Sequence, residues 1–394
     1  MRKLIVLPFL LVLAWTFLGA QADVVQFVFT ADVHYGISRP GFRGVRNVDA
    51  QVVNAALVSQ INRLPEAVFP GDGGDAANRL VGTFDFVAIG GDIANRAEAT
   101  NSSEAIQSAA VSWQQFRSSY IDGLKLHTRS GSRSPVYAVP GNHDISNAIG
   151  YYKPMTPLTD KTSMAELHNL MMRPVVPKTP AILDYPRDKV LVSHDIGGVH
   201  FIFITLWPDS SVRKWMESDL RAVSPSTPVI IFAHDPPDSD WKQFINPRGN
   251  HNINPEDQFE NLLSDTLADS FSGAPATIPQ PIIEQRAWEG FLRKHPNITA
   301  YFHGHNNWNE FYDWAGPDRT VTLHTFRVDS PMKGRFSLKD EKKLSFQVAT
   351  INSASKTLTV REVMWNADPA GSGSTIAWGT SRTVSLTPRE ADRK

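Results

Sequence analysis

The chain is predicted to fold as an α/β domain, and three observations predict it. Short apolar, β-branched runs alternate with segments whose apolar residues recur at helical spacing. Asp, His and Asn residues suited to holding metal fall just after the apolar runs, where open α/β sheets place their ligand sites. With 394 residues and no cysteine, the chain can bury a full core without covalent staples.

Val24 to Thr30 is rich in Val and Phe and reads as a buried strand stopped by Asp32. Asp49 to Leu64 places Val53, Ala56, Leu57, Ile61 and Leu64 at helical spacing. Phe84 to Ile89 is a second strand, ended by Gly90-Gly91-Asp92. Ser103 to Leu126 reads as a helix with Trp113, Phe116 and Tyr120 on one side, and Val136 to Val139 as a short strand stopped by Pro140-Gly141. Val199 to Thr205, Val229 to Phe232 and Ile298 to Phe302 are further strands, with a helix from Ser211 to Leu220 among them. Val321 to Phe326, Leu344 to Ile351 and Thr357 to Trp365 keep strand character, and the alternation in Thr357-Leu358-Thr359-Val360 predicts one wet face. Ala367 to Ser374 has linker composition. Thr375 to Leu386 is expected to form a last strand, and the charged tail after Pro388 to fray.

Two long segments break the alternation. Ser146 to Lys189 is rich in Pro and Met, and Pro236 to Pro281 carries Trp241 and Asn250-His251-Asn252. Each follows directly on a polar motif. Both are expected to rim a site and carry its specificity.

The N-terminus has Arg2-Lys3, an apolar run from Leu4 to Leu18, and Ala20-Gln21-Ala22. That pattern reads as a cleaved secretory signal peptide over residues 1–22, since a bilayer span needs about 20 apolar residues. The expected location is periplasmic or secreted, with no membrane attachment after cleavage. The absence of cysteine excludes a disulfide scaffold and a thiol enzyme. Without Arg2 and Lys3 the 39 basic residues fall to 37 against 40 acidic ones, a net charge of −3. With no basic block, nucleic acid is not an expected partner.

The chemistry lies in five blocks: Asp32-Val33-His34, Gly91-Asp92, Gly141-Asn142-His143-Asp144, His234, and His303-Gly304-His305-Asn306-Asn307. A carboxylate can bridge two cations, an imidazole offers a lone pair and a carboxamide a neutral oxygen. On an extended chain, residues two apart point the same way, so Asp32 and His34 can converge on one ion. Gly90 and Gly91 let the backbone pass close to an ion held by Asp92. Taken singly, each block also reads as an ordinary turn or a structural histidine.

Taken in order, the blocks resemble the calcineurin-like metallophosphoesterase superfamily, whose pattern runs D-x-H, G-D, G-N-H-[DE], H, G-H-x-H. The match spans Asp32 to Asn307, and Asn307 stands where the family has its last histidine. The resemblance implies a four-layer αββα sandwich of two mixed sheets over residues 23–366, with the two long segments as loop insertions. It implies a first metal held by Asp32, His34, Asp92 and Asn307, and a second held by Asp92, Asn142, His234 and His305. Asn142 and His143 would orient the ester. His143 would serve as general acid, with Asp144 on its other ring nitrogen. Asn307 is expected either to ligate through oxygen, to hold a ligating water, or to yield its place to His303. His303 is otherwise a substrate-facing group or a half-buried polar residue. Mixed N and O ligands suit Fe, Zn, Mn or Co.

The implied activity is hydrolysis of a small phosphate ester, monoester or diester, by two-metal hydroxide attack. Trp207, Trp241, Trp308 and Trp314 near the motifs lean towards an organic diester or a nucleotide. The rival reading is a degenerate, non-catalytic binder of phosphate ligands, motivated by Asn307.

Overall fold

The computed structural model describes residues 24–95, 106–145, 160–184, 187–239, 282–371 and 376–389. Fourteen strands and six α-helices are described among them. Residues 1–22, where a signal peptide is expected, Trp241, Asn250-His251-Asn252 and most of the second long segment lie outside the described residues.

Two six-stranded mixed sheets dominate. The first has the order β14-β13-β12-β1-β4-β5 and the second β10-β11-β9-β8-β7-β6. In the first, β1 (Val24–Thr30), β4 (Phe86–Ile89) and β5 (Val136–Ala138) run parallel. β12 (Ser345–Asn352), β13 (Thr357–Met364) and β14 (Ala377–Ser385) complete it antiparallel. In the second, β7 (Val199–Ile204), β8 (Val229–Phe232), β9 (Ile298–His303) and β11 (Leu323–Arg327) are parallel. Antiparallel edges β6 (Leu191–Ile196) and β10 (Glu310–Trp314) flank them. β2 (Ser38–Phe42) and β3 (Val45–Asp49) form a separate hairpin.

The sheets face each other through aromatic rings. Phe27 of β1 stacks on Phe86 at 4.7 Å and meets Phe201, Phe232 and Phe302 of the other sheet edge-on. Such rings bury large areas and gain from edge-to-face geometry. The opposite face of the first sheet, with Val28, Val87 and Ile89, shares a core with α1 (Ala50–Ile61) and α2 (Ala109–Phe116). Ile202 and Ile204, which alternate away from Phe201 and Phe203, share their core with α5 (Ser210–Asp219) and α6 (Ile282–Lys294). The outcome is the expected α/β fold of two mixed sheets with helices.

Several expectations need correction. The Ser146–Lys189 segment is not all loop: α4 (Thr162–Met172) lies within it, burying Met164 and Leu167, and Met171 Sδ accepts from Ala138 N at 3.1 Å. α4 is therefore a core element and not a rim. Residues 146–159 are outside the described set. The predicted wet face of β13 is covered. Thr359 is buried beneath Asp75, to which it donates at 3.1 Å, and Arg361 bonds Asp72 through two nitrogens at 2.8 and 2.9 Å. The tail does not fray at once, because Arg389 donates to the carbonyls of Thr322, Leu292 and Ile298. The long predicted helix is α2 followed by a π-helical turn, Arg117–Ile121, with Trp113, Phe116 and Tyr120 buried as expected.

Candidate metal centre

All five blocks meet at one end of the paired sheets. Asp32 follows β1, Asp92 follows β4, and the short α3 (Asn142–Ile145) follows β5. His234 follows β8 and His305 follows β9. The loops lock together by backbone bonds: Asp32 N donates to Gly91 O at 2.9 Å, His34 N to Asp92 O at 2.9 Å, and Gly304 N to His234 O at 3.1 Å.

The backbone here is strained. Asp32, His34, Asp92, His305 and Asn307 all have φ between 41° and 66°. Left-handed backbone costs of order 1–3 kcal/mol for a residue other than glycine. Asp and Asn tolerate it better than His. Asp32 and His34 converge because both adopt this conformation. The extended-chain explanation for their convergence is therefore wrong. Gly91, at φ +96°, passes so close that a Cβ would lie 2.6 Å from His234 Nδ1. At Gly141 a Cβ would sit 2.2 Å from Asp92 Oδ1 and 2.4 Å from Asp92 N. Gly141→Ala should therefore displace Asp92 and weaken metal binding by roughly 10- to 100-fold, as loss of an orienting group does. Titration calorimetry with Mn²⁺ checks this.

The donor atoms form two overlapping sets that share Asp92. Asp92 Oδ1 accepts from His143 N at 2.9 Å, which leaves Oδ2 facing His234 Nε2 at 3.4 Å, His34 Nε2 at 3.7 Å and His143 Nε2 at 3.9 Å. In one set, Asn142 Oδ1 is 3.0 Å from His234 Nε2 and 3.2 Å from His305 Nδ1, and these two ring nitrogens are 3.3 Å apart. Metal–ligand bonds of about 2.1 Å put neighbouring ligands roughly 3.0–3.4 Å apart, so this set matches a bound cation as it stands. In the other set, His34 Nε2 lies 3.8 Å from Asp32 Oδ1, so it must close by a few tenths of an ångström.

Two buried atoms of the looser set, His34 Nε2 and Asn307 Oδ1, have no hydrogen-bond partner among the described residues. Buried polar atoms are rarely left unpaired. Asn307 Nδ2 donates to His305 O at 2.9 Å, which fixes the amide orientation and leaves Oδ1 as the available donor atom. A cation is what both orphaned atoms fit.

Electrostatics agree with that fit. Burial raises the Asp32 carboxyl and adjacent Asp92 adds to it, against the attraction of His234. Burial acts the same way on Asp92, but the imidazoles of His234, His143 and His34 outweigh it and hold this carboxyl well below the usual range. Burial would lower His234; Asp92, Asp32 and Asp235 together raise it well above an ordinary histidine. His34 is driven well down, chiefly by burial and then by the charge of Lys333. Gly90 O lies 2.7 Å from His234 Nδ1, so the protein fixes this ring and leaves Nε2 to the site.

Two expected roles are not met. Asp144 does not touch the His143 ring. Its carboxylate accepts from Ile93 N, Ala94 N and Gly141 N at 2.9–3.1 Å and from Ser163 Oγ at 2.7 Å. Burial raises its pKa to about 6 despite those bonds. Asp144 braces the loops that carry Asp92 and Asn142, with α4 as its outer support. Asp144→Ala should strand three buried N–H groups and cost about 3 kcal/mol or more, read by urea unfolding of the mature chain. His303 is fully buried, not half-buried. It lies 2.9 Å from Tyr312 Oη and 2.9 Å from Gly304 O, and burial lowers its pKa well below normal. Its two ring nitrogens are engaged by Gly304 O and Tyr312 Oη, so neither is offered to the donor sets. His143 does reach the centre: its ring meets His34 edge-on at 4.9 Å.

Sequence reasoning missed Asp235. It is fully buried, and its Oδ1 lies 3.4 Å from His305 Nδ1. Its place beside His234 at a strand end was the available signal. His234, Asp235 and His305 form one of the compact metal-competent groups, with Asp32, Asp92 and His234, and with His34, Asp92 and His143.

The family model for calcineurin-like phosphoesterases matches residues 25–307. The chain belongs to the calcineurin-like phosphoesterase family. Similar solved structures include a dimetal phosphatase from Danio rerio, with 11% identity and a TM-score of 0.44, covering 86% of this chain and 95% of that one. They also include a Vps29 single mutant from Entamoeba histolytica, with 11% identity, a TM-score of 0.29, and 91% and 98% coverage. The calcineurin-like phosphoesterase YfkN from Bacillus subtilis has 12% identity, a TM-score of 0.30, and 92% and 91% coverage. A search of curated proteins found no match. Two metal ions are typical of this calcineurin-like family, and the donor sets above are what this member offers them.

Proposed function

We propose that the chain is an exported, metal-dependent phosphoesterase acting on a small phosphate ester. The carrying observation is the pair of donor sets joined at Asp92 Oδ2, with no hydrogen-bond partner for His34 Nε2 or Asn307 Oδ1 among the described residues. In this reading Asp32, His34, Asp92 and Asn307 hold the first ion. Asp92, Asn142, His234 and His305 hold the second, with Fe, Zn or Mn as the metal. Bound there, two cations supply a nucleophile at neutral pH and charge to offset the phosphoryl oxygens. The chain's own part is to fix and orient. Gly90 O holds His234, the His143 N–H aims Asp92, and Asp144 braces both loops. Asn142 and His143 orient the ester, and His143 donates the proton that the leaving oxygen needs.

Export rests on the N-terminal pattern of residues 1–22. Among the described residues no helix is long and apolar enough to cross a membrane.

The looser first set and the neutral Asn307 favour one further reading, a binder that has lost turnover. Hydrolysis of bis-p-nitrophenyl phosphate and p-nitrophenyl phosphate by the mature protein, followed during Mn²⁺ or Zn²⁺ titration, separates the two. The enzyme reading expects turnover that rises with a second equivalent of metal. No turnover in excess metal would leave the binding reading.

A further inference from the structure

We propose that the loop Val328–Ser337, which follows β11, is an anion-recognition arm, with Arg335 as its specificity-determining residue and Lys333 in support. This rests on the phosphoesterase reading and deepens it. The preferred substrates would be phosphate esters carrying a second anionic group, a carboxylate or another phosphate, close to the scissile phosphorus.

The arm is tied to the first donor set at two points. Ser330 Oγ donates to Asp32 O at 2.7 Å and accepts from Lys333 N at 2.8 Å, so one hydroxyl joins a candidate ligand to the turn carrying Lys333. Arg335 N donates to Asn307 O at 2.7 Å. The arm is also clamped from outside. Buried Arg39, on the β2–β3 hairpin, donates to Pro331 O at 2.7 Å and to Ser337 O at 2.5 Å. Its cations are therefore held beside the centre and not on a loose loop, which lowers the ordering cost of using them.

The side chains point to an anion and not to an aromatic ring. Arg335 is an exposed residue whose guanidinium lies 4.8 Å from the Trp308 ring centre, while that of Arg327 lies 3.6 Å from the same ring. Arg327 is engaged with Glu310 and Asn306. No carboxylate pairs with Arg335 among the described residues. Trp308 thus serves as a platform for guanidinium groups rather than as a base-stacking surface. Trp207 and Trp314 are buried core. Among the described residues, these three tryptophans therefore do not support a nucleobase. Lys333 sits on the turn that Ser330 ties to Asp32, and its charge acts on both Asp32 and His34. A guanidinium recognises a carboxylate or phosphate through paired, charge-assisted bonds.

The test compares 3-phosphoglycerate with glycerol 3-phosphate, which differ by one carboxylate. The metal-loaded mature protein should favour 3-phosphoglycerate in kcat/KM by about tenfold, the scale of one hydrogen bond to a charged group. Arg335→Ala should remove that preference through KM, weakening 3-phosphoglycerate about tenfold more than glycerol 3-phosphate, and be rescued in part by Arg335→Lys. Equal kcat/KM for the two esters, or a preference untouched by Arg335→Ala, would overturn the proposal. Calorimetry with pyrophosphate and orthophosphate gives a readout that needs no turnover. If Arg335→Ala weakens pyrophosphate about tenfold more than orthophosphate, the arm stands even for a protein that hydrolyses nothing. If both ligands are weakened alike, or neither is, the arm falls.

Discussion

Asp92→Ala should abolish turnover and reduce the bound metal from two equivalents to one or none. Asp92 Oδ2 is the atom that faces His34 on one side and His234 on the other, so its removal opens both sites at once. The loss should be at least roughly 10³-fold in kcat, because charge stabilisation by a bound cation is worth several kcal/mol. Elemental analysis beside hydrolysis of p-nitrophenyl phosphate reads both effects. Asn is the sharper comparison: Asp92→Asn keeps the shape but removes the charge, and should still lose most metal. Normal metal content in either variant would remove Asp92 from the centre. The same charges set a pH dependence. His234 is held protonated well above its ordinary range by Asp92, and the ion must displace that proton. Apparent metal affinity should therefore rise with pH through the neutral range and fall as acid restores the proton. A flat affinity between pH 6 and 8 would contradict this.

His143→Ala should cost about 10²- to 10⁴-fold with a poor leaving group and much less with p-nitrophenol. The ring sits against His34 at 4.9 Å, with Nε2 3.9 Å from Asp92 Oδ2. It is thus near enough to the donor sets to meet a bound ester. A general acid matters most when the departing oxygen is strongly basic, so the ratio of losses with alkyl and nitrophenyl esters is diagnostic. An equal loss with both, accompanied by lost metal, would make His143 a ligand. The Asp144 geometry bears on this, since its carboxylate goes to Ile93 N, Ala94 N, Gly141 N and Ser163 Oγ and not to the His143 ring.

Much of this was legible in the sequence because buried strands announce themselves. β1, β7, β8 and β9 are largely apolar runs enclosed on both faces, and the ligands fall just beyond most of them. The strands that escaped were β6 and β10, the two edges of the second sheet, and the β2–β3 hairpin. An edge strand is half-buried, and LVSHDI and EFYDW carry too little apolar pattern to stand out. α4 hid in a Pro- and Met-rich stretch although Met164, Leu167 and Met171 fall at helical spacing. At the site, the identity of the ligands was readable from order alone, but their geometry was not. Left-handed backbone at Asp32, His34 and Asp92 has no signature in residue type, and the partners of Asp144 and His303 are set by tertiary packing. Asp235 was overlooked because a pattern names only the positions it contains.

The central claim is that Asn307 is a working ligand in a two-metal centre. The direct measurement is metal stoichiometry and stepwise affinity of the mature protein by Mn²⁺ calorimetry, with Asn307→His and Asn307→Ala in parallel. The account predicts two equivalents: a tight one at Asn142, His234 and His305, and a weaker one that Asn307→His tightens and Asn307→Ala removes. One equivalent in the unmodified protein, unchanged by either substitution, would contradict it.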